Sequence, residues 1–460
     1  MTPPHPVSAA GVPAGKGSEG IIRLGLRITD ALISGVSVRS DGSYRMREVP
    51  VGADGISAAF DRLLAEFAGD ADRPPGVQGP EADGEAVVSL TVDVSAVLRS
   101  GPEPVTVVRI APRPPVDRAH ELREGESSLS KARIVHVSGG HTNLGEELVP
   151  FDAAALRDIA ANSRPGGRYV VTSVGSLVNS SHEIEAGRIL LENAVPASVG
   201  YSHYFESGSF GTRERTAVIN SSLIPVAESL ATSLALAASV RLPHARLYAA
   251  SNDGGCVPLT RLTVTPVHSM AAARAGELVG AAALSGIDSG RLAVVGSAGS
   301  FLGDMIDGVP AVRAKFQDAG GMLASKAAHV MPVPAVAPGR APAYPVVAAP
   351  GYGEDLPGAH RAEVDLCALG AAVSPLAEWA DRSVIIADAD DIRQALSAAE
   401  ARVRTRLVSF GASPSQVRII DSRVVASTYQ DPRVVSVRVR GVAGAVDDGL
   451  RGGERRAPHD

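Results

Sequence analysis

The sequence predicts an α/β protein with two lobes, and three observations support this. Strand-like and helix-like segments alternate along the chain from about residue 151 onward. At 460 residues, the chain is long enough for two closely associated domains with substantial cores. Apolar residues make up 45% of the sequence and the mean hydropathy is +0.10, which is typical of a soluble globular protein.

The N-terminal elements are predicted from short apolar runs and one helical period. An apolar run over 21–26 predicts a strand, and ALISGVSV predicts a second strand after a turn. Apolar side chains at helical spacing predict a helix over 56–69. A linker rich in Pro, Gly and Asp follows over 70–85, then strands at AVVSLTV and VTVVRIA, then a polar loop over 112–130.

The remaining elements alternate more regularly. Proline removes a backbone donor, so the long helix is expected to be interrupted near Pro225. Residues 327–360, dense in Pro, Ala and Gly, predict a loop or an irregular crossover. The predicted helices span 151–163, 181–191, 213–239, 274–287, Val364 to Trp379, and 391–411. The predicted strands are RYVVTSV, ARLYAAS, RLAVVGS, SVIIADA, RIIDSRVVASTY and RVVSVRVRGVA.

The net charge and the two cysteines argue against several classes of protein. A net charge of −6 gives no reason to expect nucleic acid or an anionic membrane as a partner. Cys256 and Cys367 are far apart in sequence, which argues against a disulfide scaffold and predicts buried, inert thiols. The N-terminus lacks the pattern of a signal peptide, and the apolar run over 227–237 is too short to span a bilayer. We therefore expect a cytoplasmic protein without membrane contact.

The segment GIIRLGLRITDA near the N-terminus resembles the first phosphate-binding turn of actin/hexokinase-type ATPases. It keeps Gly25, Thr29 and Asp30 of that pattern. Arg23 stands where the family has an acidic residue that helps to hold Mg²⁺, and Leu26 replaces a glycine. The turn therefore predicts the frame of a nucleotide site without its chemistry.

Six further blocks, in the right order, resemble the A-type subunit of the hydantoinase/oxoprolinase family, in its short form. They are NSSHEI, SHYFESGSFGTRERTAVINSSL, SNDGG, PVHSMAAARAGELVGAAALSGI, LCALGAA and SFGASPSQVRII. The resemblance implies a two-lobed actin/hexokinase-type ATPase fold with mixed sheets and a family-specific insertion domain. It also implies a hydantoinase/oxoprolinase-like region over 19–190 and a hydantoinase A-like core with the second ATPase lobe over 191–440, between flexible tails at 1–18 and 441–460.

The other ATP-site elements of the family are also altered. The second phosphate turn, GSAGSFLG, lacks the family's acidic residues, and SLTVDVSAV has lost a family G-T-T-H-x-x-N-A pattern. The family's S-G-P element reads AAR here, and its later glycine-rich stretch reads PVPAVAPGR. The resemblance therefore implies that six residues are remnants of an ATP site: Thr29, Asp30, Asn252, Asp253, Gly299 and Ser300. A β-turn role for Thr29 and Asp30 is favoured, because Arg23 stands beside them.

The best candidates for acid/base or metal chemistry are His182, Glu183 and His203, since imidazole and carboxylate groups shuttle protons near neutral pH and bind Zn²⁺. A purely structural role for His182 at a helix start stays open. His141 is expected in a surface turn. Arg213 and Glu214 are expected to form a buried pair.

The predicted function is a catalytically degraded homologue of the ATP-dependent A subunit. Such a pseudoenzyme would act as a non-hydrolytic subunit, a ligand-binding protein or a stabiliser of a partner. No cofactor is expected, and the partner is a hydantoinase B-type subunit or a second copy of the chain. The alternative is a working hydrolase of cyclic amides such as hydantoin, 5-oxoproline or a lactam. It would depend either on ATP with Mg²⁺, or, without ATP, on a divalent metal together with His182, Glu183 and His203. Arg23 and Arg27 are a further candidate anion site.

Overall fold

The computed structural model describes most of the chain. The tail predicted over 1–18 and the linker over 70–85 lie outside the described residues. The last strand ends at Ala443, three residues into the segment assigned to the C-terminal tail. The described residues are 21–39, 41–69, 86–99, 103–114, 132–163, 165–194, 196, 198–318, 321–333, 344–353, 356, 358–426 and 431–444.

Strands and helices follow one another broadly in the predicted order, except over 290–361, where the described residues form ten successive strands. The segment 327–360, predicted as a loop or an irregular crossover, therefore carries short strands. The strands are β1 (Ile21–Ile28), β2 (Leu32–Arg39), β3 (Tyr44–Pro50), β4 (Ala86–Asp93), β5 (Val105–Ile110), β6 (Ala132–Val137), β7 (Arg168–Ser173), β8 (Ser198–Tyr201), β9 (Arg246–Ala250), β10 (Cys256–Pro258), β11 (Gly290–Gly296), β12 (Gly299–Ile306), β13 (Val309–Pro310), β14 (Val312–Arg313), β15 (Phe316–Asp318), β16 (Gly321–Leu323), β17 (Ala327–Ala328), β18 (Val330–Pro332), β19 (Val346–Ala348), β20 (His360–Arg361), β21 (Leu376–Ile385), β22 (Arg418–Ala426) and β23 (Val434–Ala443). The helices are α1 (Gly55–Gly69), α2 (Ser95–Leu98), α3 (Ala153–Ala161), α4 (Ser181–Asn193), α5 (Phe210–Arg241), α6 (Leu259–Leu262), α7 (Ala272–Ser285), α8 (Leu366–Val373) and α9 (Ala389–Ser409).

Three sheets organise these elements. The largest has nine strands in the order β22-β23-β21-β10-β9-β4-β1-β2-β3, with parallel pairs at β1–β4 and β4–β9 and antiparallel pairs at β1–β2 and β2–β3. This sheet combines strands from both predicted regions, 19–190 and 191–440. A six-stranded sheet carries the hairpin of β11 and β12, and a parallel four-stranded sheet has the order β6-β5-β7-β8. Two small two-stranded sheets pair β14 with β17 and β15 with β16.

Helix α5 is continuous, so the predicted interruption near Pro225 is wrong. Residues on both sides of the proline, including Leu223 and Ala227, are fully buried in the main hydrophobic core. Packing of both halves on one core offsets the hydrogen bond that proline removes.

The helix predicted from Val364 to Trp379 is shorter than expected. It ends at Val373, because Ser374 has an extended backbone (φ −58°, ψ 133°) before Pro375. A residue that precedes proline disfavours the helical conformation. Trp379 consequently lies in strand β21, which begins seven residues before the predicted strand SVIIADA.

Close packing of helices explains why glycine-bearing blocks persist in this chain. A Cβ atom on Gly25 of β1 would lie 2.1 Å from the carbonyl oxygen of Ala368 in α8. A Cβ atom on Gly370 of α8 would lie 2.0 Å from the carbonyl oxygen of Gly276 in α7. Only glycine fits where backbones approach this closely. The blocks therefore preserve the scaffold and carry no evidence of catalysis.

Helix α5 is the one described helix long and apolar enough to cross a membrane by length and composition. That is weak evidence, because a core helix passes the same test. Leu223, Leu230 and Leu234 of this helix are buried in the main hydrophobic core, while 33% of its most apolar window is buried. The packing favours a core helix.

Candidate functional site

A buried carboxylate anchors the strongest acid/base candidate. Glu183 lies in the first turn of α4 and is 0% exposed. Its carboxylate accepts hydrogen bonds from Ser173 N at 2.8 Å, Ser202 Oγ at 2.6 Å and His203 Nδ1 at 2.7 Å. Burial raises the pKa of Glu183, but the hydrogen bonds from His203, Ser202 and Ser176 more than offset this, and the net pKa is lowered. The group is therefore ionised near neutral pH.

Glu183 fixes the orientation of His203. The carboxylate accepts from Nδ1, so Nδ1 carries the proton and Nε2 of the neutral ring is an acceptor. The His203 ring lines a cleft of about 680 Å³, which we name the large cleft. An imidazole held in this way can accept a proton from water or from a bound ligand.

His182 lies in a different environment, although it is next to Glu183 in sequence. Its Nδ1 accepts from Gly140 N at 2.9 Å, and its Nε2 lies 3.1 Å from the Glu147 carboxylate. Its ring packs 4.1 Å from that of His141, which is 3% exposed and not in a surface turn as expected. Successive residues of a helix point about 100° apart, so His182 and Glu183 face different neighbours. His182 is therefore not part of the Glu183–His203 pair.

Asn252 and Asp253 are held by the protein itself. Asn252 donates to Val267 O at 2.9 Å and accepts from Ala271 N at 2.7 Å, which fixes the turn after β9. Asp253 lines the large cleft and accepts from Trp379 Nε1 at 2.8 Å. Burial raises the pKa of Asp253, but Arg440 and the hydrogen bonds to the carboxylate more than offset this rise. The net pKa is lowered, so the carboxylate is ionised near neutral pH.

Glu206 is the unusual acid of the large cleft. Its Oε2 is buried without a hydrogen-bond partner among the described residues. Burial and the nearby Asp381 raise the pKa of Glu206 to about 7, against the opposing effect of Lys326 and Arg382. Near neutral pH, the Glu206 carboxyl group is therefore protonated in part of the molecules and ionised in the rest.

The predicted nucleotide site forms a second cleft, of about 280 Å³, which we name the small cleft. Arg27, Glu277 and Asp365 line it, and Arg27 Nη1 lies 3.0 Å from the Asp365 carboxylate. Thr29 closes the turn between β1 and β2 by donating from Oγ1 to Leu32 O at 2.7 Å. Asp30 is exposed at that turn, does not line the cleft, and has no described partner. The β-turn interpretation of Thr29 is thus supported.

In the turn that the sequence aligns with the family's second phosphate turn, the backbone donates to a carboxylate of the same chain. Glu277 of α7 is 1% exposed and accepts from Ser297 Oγ at 2.7 Å and from Ala298 N at 3.1 Å. A Cβ atom on Gly296 would lie 2.7 Å from Glu277 Oε2, so this glycine makes room for the carboxylate. Burial raises the pKa of Glu277, and the hydrogen bonds from Ser297 and Ala298 offset part of that rise.

Gly299 and Ser300 begin β12 and are exposed outside the small cleft lining. The two arginines of β1 do not meet in one site either. Arg27 lines the small cleft, whereas Arg23 does not, and helix α8 packs on Gly25 between them. The structure therefore does not assemble the anion site suggested for this arginine pair.

The pairing expected between Arg213 and Glu214 is wrong. Glu214 pairs with Arg109 of β5, with Arg109 Nε 2.9 Å from Glu214 Oε2. Arg213 donates instead to the carbonyl oxygens of Ser207 at 2.8 Å and Ser173 at 3.1 Å. Adjacent residues on a helix face different neighbours, which sequence adjacency does not reveal.

The two cysteines and the possible metal ligands complete the description of the site residues. Cys256 and Cys367 are both free and buried, as expected. Burial raises the pKa of the Cys256 thiol to about 12. The described residues hold no group of three His, Cys, Asp or Glu side chains arranged for a metal ion.

Comparison with known proteins gives a fold and no family model. No family model and no curated protein sequence matches this chain. A nucleotide-free structure of an acetone carboxylase, titled for ATP-dependent acetone carboxylation, is similar with a TM-score of 0.62, 13% identity, and coverage of 92% of this chain and 88% of that chain. An ATP-dependent caprolactamase from Pseudomonas jessenii is similar with a TM-score of 0.63, 14% identity, and coverage of 91% and 87%. The predicted mixed α/β fold of the hydantoinase/oxoprolinase type is confirmed at this level.

Proposed function

We propose that this chain is a cytoplasmic pseudo-ATPase of the hydantoinase/oxoprolinase A-subunit type, which binds a small ligand without hydrolysing ATP. The observation that carries the proposal is the position of Glu277. Its carboxylate accepts the Ala298 N–H of the turn that corresponds to the family's second phosphate turn. Nucleotide-binding turns use such N–H groups to hold phosphate, and a buried carboxylate in their place repels it.

A salt bridge between two residues that line the small cleft supports the same conclusion. Arg27 is neutralised by Asp365, so it adds little net positive charge where phosphates would lie. Phosphoryl transfer depends on positioning and on metal-held charge more than on covalent chemistry. Glu277, Arg27 and Asp365 of the small cleft are already bonded to other groups of the protein. We therefore expect the cleft to lack most of the rate of ATP hydrolysis.

The ligand function is assigned to the large cleft. Its volume of about 680 Å³ lies within the range of small-molecule sites, and the oriented His203 gives it one directed polar group. In this proposal the chain acts as a non-hydrolytic subunit or stabilises a partner such as a B-type subunit or a second copy of itself.

ATP turnover tests the proposal. Purified full-length protein is incubated with Mg-ATP, alone and with hydantoin, 5-oxoproline or caprolactam, and phosphate release is followed. We expect no more phosphate than a heat-denatured sample releases. Magnesium-dependent release proportional to protein concentration would contradict the proposal.

A second candidate function is a hydrolase of cyclic amides, and the Glu183–His203 pair favours it. One of the structural neighbours is an ATP-dependent caprolactamase, so amide chemistry occurs in a protein of similar fold. In this case His203 Nε2 removes a proton from an attacking water, whose oxygen adds to the amide carbon. The C–N bond of the ring then breaks, and the proton held by His203 passes to the leaving nitrogen.

Replacing His203 by alanine tests this candidate. If the chain is a hydrolase, His203→Ala lowers kcat/KM by roughly 10²–10⁴-fold, the usual contribution of a general base. The exposed His244 supplies the matched control, and His244→Ala should leave the rate unchanged. Equal rates for wild type and His203→Ala would exclude His203 as the base. Absence of turnover in the wild type would leave the pseudo-ATPase as the function.

A further inference from the structure

Acidic side chains that line the large cleft already have basic partners inside the protein. The Glu378 carboxylate lies 2.5 Å from Arg406 Nη1. The Asp381 carboxylate lies 3.4 Å from Lys326 Nζ and 3.3 Å from Arg438 Nε. The negative charge of these acids is therefore not available to balance other cations of the cleft.

Three arginines of the same cleft lack such a partner. Within the described part of the chain, no carboxylate lies at ion-pair distance from Arg261, Arg382 or Arg402. The cleft acid Asp253 faces Arg440 instead, at 3.7 Å. The cleft thus carries surplus positive charge, in a protein whose net charge is −6.

Two of these arginines lie close to a further guanidinium group. Arg402 and Arg406 are one turn apart on α9, and Arg382 lies on β21, against which α9 packs. Burial lowers the pKa of Arg402, and the charges of Arg382 and Arg406 lower it further. Like charges at this spacing destabilise a helix surface, so a bound anion would relieve their repulsion.

The remaining acid of the cleft does not cancel this surplus. Glu206 has a pKa of about 7, so it carries only part of a negative charge at neutral pH. Arginine presents its donors in a planar fork that matches carboxylate and phosphate oxygens. Two adjacent guanidinium groups without internal partners fit a ligand with two negative charges better than a monoanion.

We propose that the large cleft binds a small dianion, a phosphate monoester or a dicarboxylate, with its anionic oxygens on Arg382 and Arg402. This inference rests on the ligand-binding part of the proposed function and names its ligand class. Phosphate monoesters and dicarboxylates share one property, two negative charges within one small polar molecule.

Calorimetric titration of the full chain with sn-glycerol 3-phosphate and with succinate tests the inference. Saturable binding of at least one is expected, and it should weaken as ionic strength rises. Propionate and glycerol are the monoanionic and neutral controls, and both should bind at least about tenfold more weakly. Which dianion binds identifies the source. Absence of saturable binding of both dianions at millimolar concentration would overturn the inference, as would equal affinity for propionate.

Arginine variants locate the site. Arg382→Gln and Arg402→Gln should each weaken dianion binding by about tenfold or more, because each removes a charge-assisted contact. Arg393→Gln is the matched control: Arg393 lies on the same helix, is paired with Asp390, and does not line the cleft. An equal loss in Arg393→Gln would show general electrostatic attraction in place of a site. All three side chains are exposed, so folding should be retained.

The result is independent of the ATP proposal. Failure of dianion binding together with absent ATP turnover contradicts only the ligand class. Dianion binding together with magnesium-dependent ATP turnover contradicts only the pseudo-ATPase.

Discussion

Replacing Glu214 by glutamine is expected to destabilise the protein by about 3–5 kcal/mol, the usual effect of breaking a buried ion pair. Glu214 is 1% exposed, and its partner Arg109 is 2% exposed. The two side chains form parallel hydrogen bonds between β5 and α5. Without the carboxylate, the Arg109 charge stays buried and loses the counter-charge of Glu214. Denaturant unfolding at pH 7 measures the loss.

Two further variants make this prediction specific. Glu185→Gln removes one carboxylate of the exposed pair with Arg188 and should change the unfolding free energy by at most about 1 kcal/mol. The double variant Arg109→Met, Glu214→Leu should recover part of the loss, because no unpaired charge remains. A loss in Glu214→Gln no larger than that in Glu185→Gln would contradict the buried pair.

Replacing Glu206 by glutamine should stabilise the protein at alkaline pH. The pKa of Glu206 is raised from 4.5 to about 7, chiefly by burial. The unfolded chain therefore releases this proton first, and stability falls as the pH rises from about 4.5 to about 7. At pH 8 the penalty is nearly complete, and a shift of about 2.5 pKa units at 1.36 kcal/mol per unit corresponds to about 3 kcal/mol.

Unfolding free energies of the wild type and Glu206→Gln at pH 4 and pH 8 check this. The variant should gain about 3 kcal/mol at pH 8 and almost nothing at pH 4, where the carboxyl group is largely protonated in both the folded and the unfolded state. The exposed Glu192 gives the control, and Glu192→Gln should show no such pH-dependent gain. A variant that is no more stable than wild type at pH 8 would argue against the raised pKa.

The sequence predicted the features that depend on neighbouring residues. The turn at Thr29 and the positions of most helices and strands are set by local backbone preferences. The alignment of Gly25 with a family glycine was informative for the same reason, although its role is contact with α8. Errors of local prediction, such as the helix end before Pro375, also have local causes.

The pairing of charged side chains was not predictable from the sequence. Arg27 meets Asp365 across 338 residues, and Arg109 meets Glu214 across 105 residues. Such contacts depend on how sheets and helices assemble, and no periodicity or spacing marks them. Glu277 went unnoticed for this reason: as an isolated acid within an apolar helix it showed no sign of reaching the turn after β11.

Calorimetric titration with Mg-ATP and Mg-ADP at millimolar ligand tests the central claim most directly. Arg382→Gln is titrated in parallel, because the phosphates could also enter the large cleft. We predict no magnesium-dependent binding in either protein, since Glu277 already accepts the Ala298 N–H and Asp365 already pairs with Arg27 in the small cleft. Saturable, magnesium-dependent binding that persists in Arg382→Gln would contradict this account and restore ATP-driven chemistry as the function of the small cleft.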